Sequence, residues 1–143
     1  MSDSYRLERF VAAQDRGGTY ERAVAELRGG AKVSHWMWFV FPQLRGLGRS
    51  PTAQYYGIAS LDEARAYLDH PVLGLRLRQC VEAVLPWADK RTAEQILGPV
   101  DAMKLRSSMT LFAAANPGEP VFAEVLAKFF GGIGDDATLA RLG

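Results

Sequence analysis

Asp101, Lys104 and Ser108 stand at spacing i, i+3, i+7 in an otherwise apolar stretch. On an α-helix these positions share one face. Asp101 and Lys104 are placed to pair. Lys104 and Ser108, four apart, have the spacing of a Ser–Lys couple, in which a lysine activates a hydroxyl. The order is not the Ser-x-x-Lys of serine acyltransferases. The competing reading is an intrahelical ion pair beside serines that bond back to backbone carbonyls, and it is the commoner arrangement.

His35 lies between Ser34 and the run Trp36-Met-Trp-Phe-Val-Phe41. A histidine titrates near neutrality and can serve as acid or base. Its ordinary alternative is a buried ring on a backbone carbonyl. Trp36 and Trp38 are expected in the core; the alternative is that one ring is exposed as a stacking platform for a base or sugar.

Gln43 opens a loop that contains Arg45-Gly-Leu-Gly-Arg49. Gly46 and Gly48 allow backbone amides to converge on an anion, and Arg45 and Arg49 add forked donors. The Rossmann and P-loop patterns are both absent, so a plain surface turn competes with a phosphate cradle.

Helices must position these groups. Gly and Pro punctuate the 143 residues at short intervals. Leu7, Phe10, Val11 and Gln14 mark a first helix capped at Asp3 or Ser4. Thr19 caps a second, with Tyr20, Ala23, Val24 and Leu27 on its buried stripe. The segment 33–41 is ambiguous: its aromatic and β-branched content favours a strand, but few other segments could pair with it, so a buried helix ending before Pro42 is the preferred reading. A short helix follows over 52–57. Ser60 caps the next, and Pro71 opens another that carries Leu73, Leu77, Cys80, Val81, Val84 and Leu85.

Thr92–Leu97 is short. The helix over Pro99–Ala115 carries Val100, Met103, Leu105, Met109 and Phe112 as its core stripe. Pro120 begins a further helix. A last one, capped by Asp135 or Asp136, turns Leu139 and Leu142 inward. The sum is an all-α single domain of about eight to ten short helices, irregularly packed.

Composition narrows the functions. Hydrophobic residues form 48 % of the chain and charged ones 23 %, as in ordinary globular proteins. Seventeen basic residues against sixteen acidic give a net charge of +1, against general nucleic-acid binding. Cys80 is the only cysteine, which excludes an internal disulfide and fits a reducing compartment. With two histidines besides, no metal site is expected. The N-terminus has no secretory h-region, and no apolar run can span a bilayer, so a cytoplasmic location without membrane contact is expected.

The block Ser34-His-Trp-Met-Trp-Phe-Val-Phe-Pro-Gln-Leu-Arg-Gly-Leu-Gly48 resembles a bacterial family known as domain of unknown function 1810. So do Phe10-Val-Ala-Ala-Gln14, His70-Pro-Val-Leu-Gly-Leu-Arg-Leu77 and Asp101-Ala-Met-Lys-Leu-Arg-Ser-Ser-Met-Thr-Leu-Phe112. The resemblance implies a mainly helical single domain and no particular reaction or cofactor. Some members carry the label calpastatin, yet this chain has no repeated inhibitor segments.

Two functions follow as expectations. The first is a small-molecule site for a phosphorylated metabolite or nucleotide, with hydrolysis as the chemistry if it is an enzyme. It requires His35, Asp101, Lys104 and Ser108 to meet Trp36, Trp38 and the Gln43–Arg49 loop in one cleft. The second is a protein-interaction or adaptor module, which needs an exposed apolar patch.

Overall fold

The computed structural model describes residues 3–142. Ten α-helices follow in chain order: α1 (Glu8–Asp15), α2 (Thr19–Arg28), α3 (Met37–Val40), α4 (Pro51–Tyr55), α5 (Leu61–Asp69), α6 (Leu73–Val84), α7 (Ala93–Leu97), α8 (Pro99–Ala115), α9 (Val121–Phe130) and α10 (Asp136–Leu142). Among the described residues the β-structure is a single parallel bridge between Leu44 and Ile58. The architecture is all-α.

Helix α8 is the centre of the packing. It touches α5, α7, α9 and α10, while α6 packs on α2 and α5. Residues 107–112 of α8 are buried on every side. Their hydroxyls make this possible. Ser107 Oγ donates to the Met103 carbonyl at 3.1 Å, and Thr110 Oγ1 to that of Arg106 at 2.7 Å. These two hydroxyls are thereby satisfied inside their own helix.

The one-stripe reading of α8 is corrected at its start: Val100 and Met103 are 65 % and 67 % exposed. The first turns of α8 project beyond the helices that enclose the rest. Leu139 of α10 is likewise exposed rather than inward, and Leu142 alone packs on the core.

Aromatic rings join the helices across the core. Phe10 of α1 meets Tyr67 of α5 edge-on at 5.2 Å. Tyr67 lies 5.4 Å from Phe112 of α8, which lies 5.8 Å from Phe122 of α9. Such contacts add about 0.5–1.5 kcal/mol each beyond area burial. Cys80 is sealed in the same core, where burial pushes its thiol up to about 12.

Several helix starts follow local chemistry. Asp3 accepts from the Leu7 and Glu8 amides, Ser60 from Glu63, and Asp135 from Thr138. Thr92 and Gln95 form a reciprocal capping box. Two starts differ from expectation. Gly17 and Gly18, at φ 58° and 73°, reverse the chain so tightly that Thr19 is already helical. Before α6, His70 rather than Pro71 sets the start: its Nδ1 accepts from the Val72 and Leu73 amides.

The segment expected to be one buried helix over 33–41 is helical only at Met37–Val40. Residues 33–35 form an irregular loop instead, with Val33 and His35 exposed. Glu26 of α2 causes this. Its carboxylate accepts from the Val33 and Ser34 amides, the Ser34 hydroxyl and Trp36 Nε1, at 2.6–3.0 Å. Amides engaged by a side chain have no need of a helix turn.

Candidate functional site

The N-terminus of α8 borders a pocket of about 330 Å³. Gly98, at φ 86°, turns the chain from α7 into α8, and Pro99 occupies the first helical position. Leu97, Pro99 and Val100, with Met37 and Trp38 of α3, form its apolar lining. Lys32, His35, Asp101 and Lys104 supply the polar groups.

Three backbone devices bring the 30–35 segment here. The Lys32 amide donates to the Ile96 carbonyl of α7 at 2.7 Å. Arg91 Nη1 donates to the Gly30 carbonyl at 2.8 Å. Glu26 grips residues 33–36 from beneath. Burial raises the Glu26 pKa, but the bonds from Ser34, Val33 and Trp36 outweigh it and hold it down at about 2.

Asp101 is shared by two lysines. Lys32 Nζ lies 2.9 Å from Oδ2 and Lys104 Nζ 3.3 Å from Oδ1. Lys104 Nζ also stands 4.3 Å from the centre of the Trp38 ring, and Lys32 Nζ 5.1 Å from that of Trp36. Two ammonium groups against one carboxylate leave a surplus positive charge. Each ammonium has three donors, and the carboxylate uses one of each. The free first-turn amides of α8 add partial positive charge. His35 is exposed, and its ring has no hydrogen-bond partner among the described residues. The alternative of a buried, satisfied histidine is therefore corrected.

Of the residues expected to act together, His35, Trp38, Asp101 and Lys104 share this pocket. The others do not. Ser108 lies in the core with its Oγ unpartnered and does not line the pocket, so a Ser–Lys couple has no accessible hydroxyl. Trp36 is fully buried, its Nε1 spent on Glu26, so it offers no stacking face.

The Gln43–Arg49 loop is elsewhere. Gln43 and Arg45 bridge to Ile58 through backbone bonds of 2.8 and 2.7 Å. Gly46, at φ 100°, accepts from Arg141 at its carbonyl, and Gly48 packs on Ala53. Arg49 is exposed and engages Gln54 only through its carbonyl. The loop therefore stands apart from the pocket at α8, and its arginines and glycines do not line it. Lys32 and Glu26 were not foreseen. Lys32 sits three residues before His35, which is the one signal that marks it; Glu26 carries none.

The fold and pocket define a helical domain with a lysine-flanked cleft at the start of its central helix. The chain belongs to the family described as protein of unknown function DUF1810, whose model matches residues 4–142. It is similar to the crystal structure of the conserved hypothetical protein Rv1873 from Mycobacterium tuberculosis. The two share 53 % identity over 98 % of each chain, with a TM-score of 0.93. No curated protein matches the chain. Among the described residues no helix is long and apolar enough to cross a membrane, and no cluster of metal-ligating side chains occurs.

Proposed function

We propose that this protein binds a small phosphorylated molecule, of nucleotide or sugar-phosphate type, in the pocket at the start of α8, within a reducing cytoplasm. The observation that carries the reading is the pair Lys32 and Lys104 around the single carboxylate of Asp101. The surplus charge and spare ammonium donors favour an oxyanion. Trp38 offers an apolar wall for a ring, and His35 a titratable group at the mouth. A volume of about 330 Å³ lies at the small end of ligand sites and suits a single ring or sugar with one phosphoryl group. Binding is favoured over Ser–Lys hydrolysis because Ser108 is outside the pocket.

Calorimetric titration with nucleoside monophosphates and sugar phosphates tests the reading. Lys104→Gln is expected to weaken a binder about tenfold, the loss of one charge-assisted contact. Trp38→Ala is expected to weaken ring-bearing ligands and spare inorganic phosphate. Unchanged binding in Lys104→Gln overturns the assignment, as does a screen in which no phosphorylated compound binds.

Exposed Val100 and Met103 beside the pocket favour a second reading, an adaptor that docks a protein partner on this rim. Loss of a partner from a Met103→Glu variant, with small-molecule binding absent, is the result that selects it.

A further inference from the structure

A second cleft, of about 490 Å³, lies where the turn before α1 meets α4 and the Arg45 loop. Tyr5, Arg6, Arg9, Arg45, Gln54 and Tyr55 line it together with one proline, and no acidic side chain does. Its three arginines are not equivalent.

Arg9 is spent. Nε donates to the Tyr55 carbonyl, Nη1 to those of Tyr5 and Arg6, and Nη2 to Gly57 and to Glu63 Oε2, at 2.6–3.1 Å. The guanidinium has five N–H donors, and all five are used. Asp3, the nearby carboxylate, is occupied by two amides of the turn.

Arg6 and Arg45 are surplus. Arg6 makes no side-chain hydrogen bond among the described residues, and its guanidinium stands 5.7 Å over the exposed Tyr55 ring. Its backbone is held at φ 55° in a turn whose carbonyl is gripped by Arg9. Arg45 uses one of its donors, Nη2 to the Gly57 carbonyl at 3.2 Å. Two forked cations therefore face one cleft with open donors and no counter-charge, beside two exposed tyrosine rings. A bidentate guanidinium matches phosphate geometry, and a ring face favours a planar substituent.

We infer that the Arg6–Arg45 cleft is an oxyanion site for a phosphate monoester carried on a planar ring, separate from the lysine pocket of α8. Arg6 and Arg45 hold the phosphoryl oxygens. Tyr55 packs on the ring, and Arg9 fixes the turn and touches no ligand.

Amide-resolved NMR titration of the full chain with inorganic phosphate and phenyl phosphate, against sodium chloride at equal ionic strength, tests the inference. Saturable shifts are expected at Tyr5, Arg6, Arg45 and Tyr55, with phenyl phosphate the tighter ligand. Arg6→Gln is expected to weaken binding about tenfold, and a further Arg45→Gln to abolish it. Neither variant removes more than one hydrogen bond of the fold, and Arg9 is left intact. Lys104→Gln is expected to bind at this cleft as the parent does. Shifts that sodium chloride reproduces overturn the inference. So do shifts that persist in the Arg6→Gln/Arg45→Gln chain, or shifts confined to residues 98–104.

Discussion

Arg9 and Lys104 are both cations beside a carboxylate, yet their surroundings use them in opposite ways. Arg9 and Glu63 pair at 2.9 Å with both side chains almost wholly buried. Every donor of Arg9 is engaged, and Glu63 also accepts from the Ala59 amide at 2.9 Å. The pair knits α1, α4 and α5 together. Lys104 has one carboxylate partner, shared with Lys32, and an aromatic ring instead of carbonyls around it. A saturated cation is structural; an unsaturated one at a pocket retains donors for something else.

The sharpest way to break this comparison is Arg9→Ala. It leaves Glu63 buried without its partner and the Tyr5 and Tyr55 carbonyls without the guanidinium that serves them. A loss of about 3–5 kcal/mol is expected, read as a lowered midpoint in urea unfolding. A loss under 1 kcal/mol, the range of exposed pairs, would remove the contrast.

Glu26→Ala comes next. It frees the 33–36 loop and is expected to cost about 1–2 kcal/mol, tempered by solvent screening. The pH profile carries the same information. The folded pKa of Glu26, about 2, lies below its ordinary 4.5. Its stabilisation is thus complete above 4.5 and is lost as pH falls towards 2. Melting temperature should drop more steeply over that window in the parent than in Glu26→Gln. Parallel profiles would show that the carboxylate does not clasp the loop.

Ser108→Ala is expected to be neutral or to stabilise by up to about 1 kcal/mol, since it removes a buried hydroxyl that has no partner. Ligand binding should be untouched, and its loss would return Ser108 to the site. Smallest of all is Lys104→Gln, expected within about 0.5 kcal/mol of the parent in stability while ligand affinity falls. A large destabilisation would make Lys104 a structural cation like Arg9.

The helices were legible where their causes are local. Ser60 and the Thr92–Gln95 box announce themselves within four residues of sequence, and the apolar stripe of α6 is buried as spaced. His70 as a cap was not, because Pro71 offered the more familiar start. The interior of α8 was read as one stripe because spacing cannot say how many neighbours enclose a helix. At the site, Asp101, Lys104, His35 and Trp38 stood out by type. Lys32 and Glu26 did not, because each acts through a partner distant in sequence or through a loop conformation. The Arg45–Arg49 loop was legible as a loop. Where its first arginine reaches depends on α1 and α4, which local spacing cannot reveal.

The sealed Cys80 gives this molecule an internal clock. Fully buried among α6 and its neighbours, the thiol is shielded from an aromatic disulfide while the fold is shut. Modification must wait for the core to open. As the chain's sole sulfhydryl, it lets a simple absorbance trace count opening events, free of any competing site.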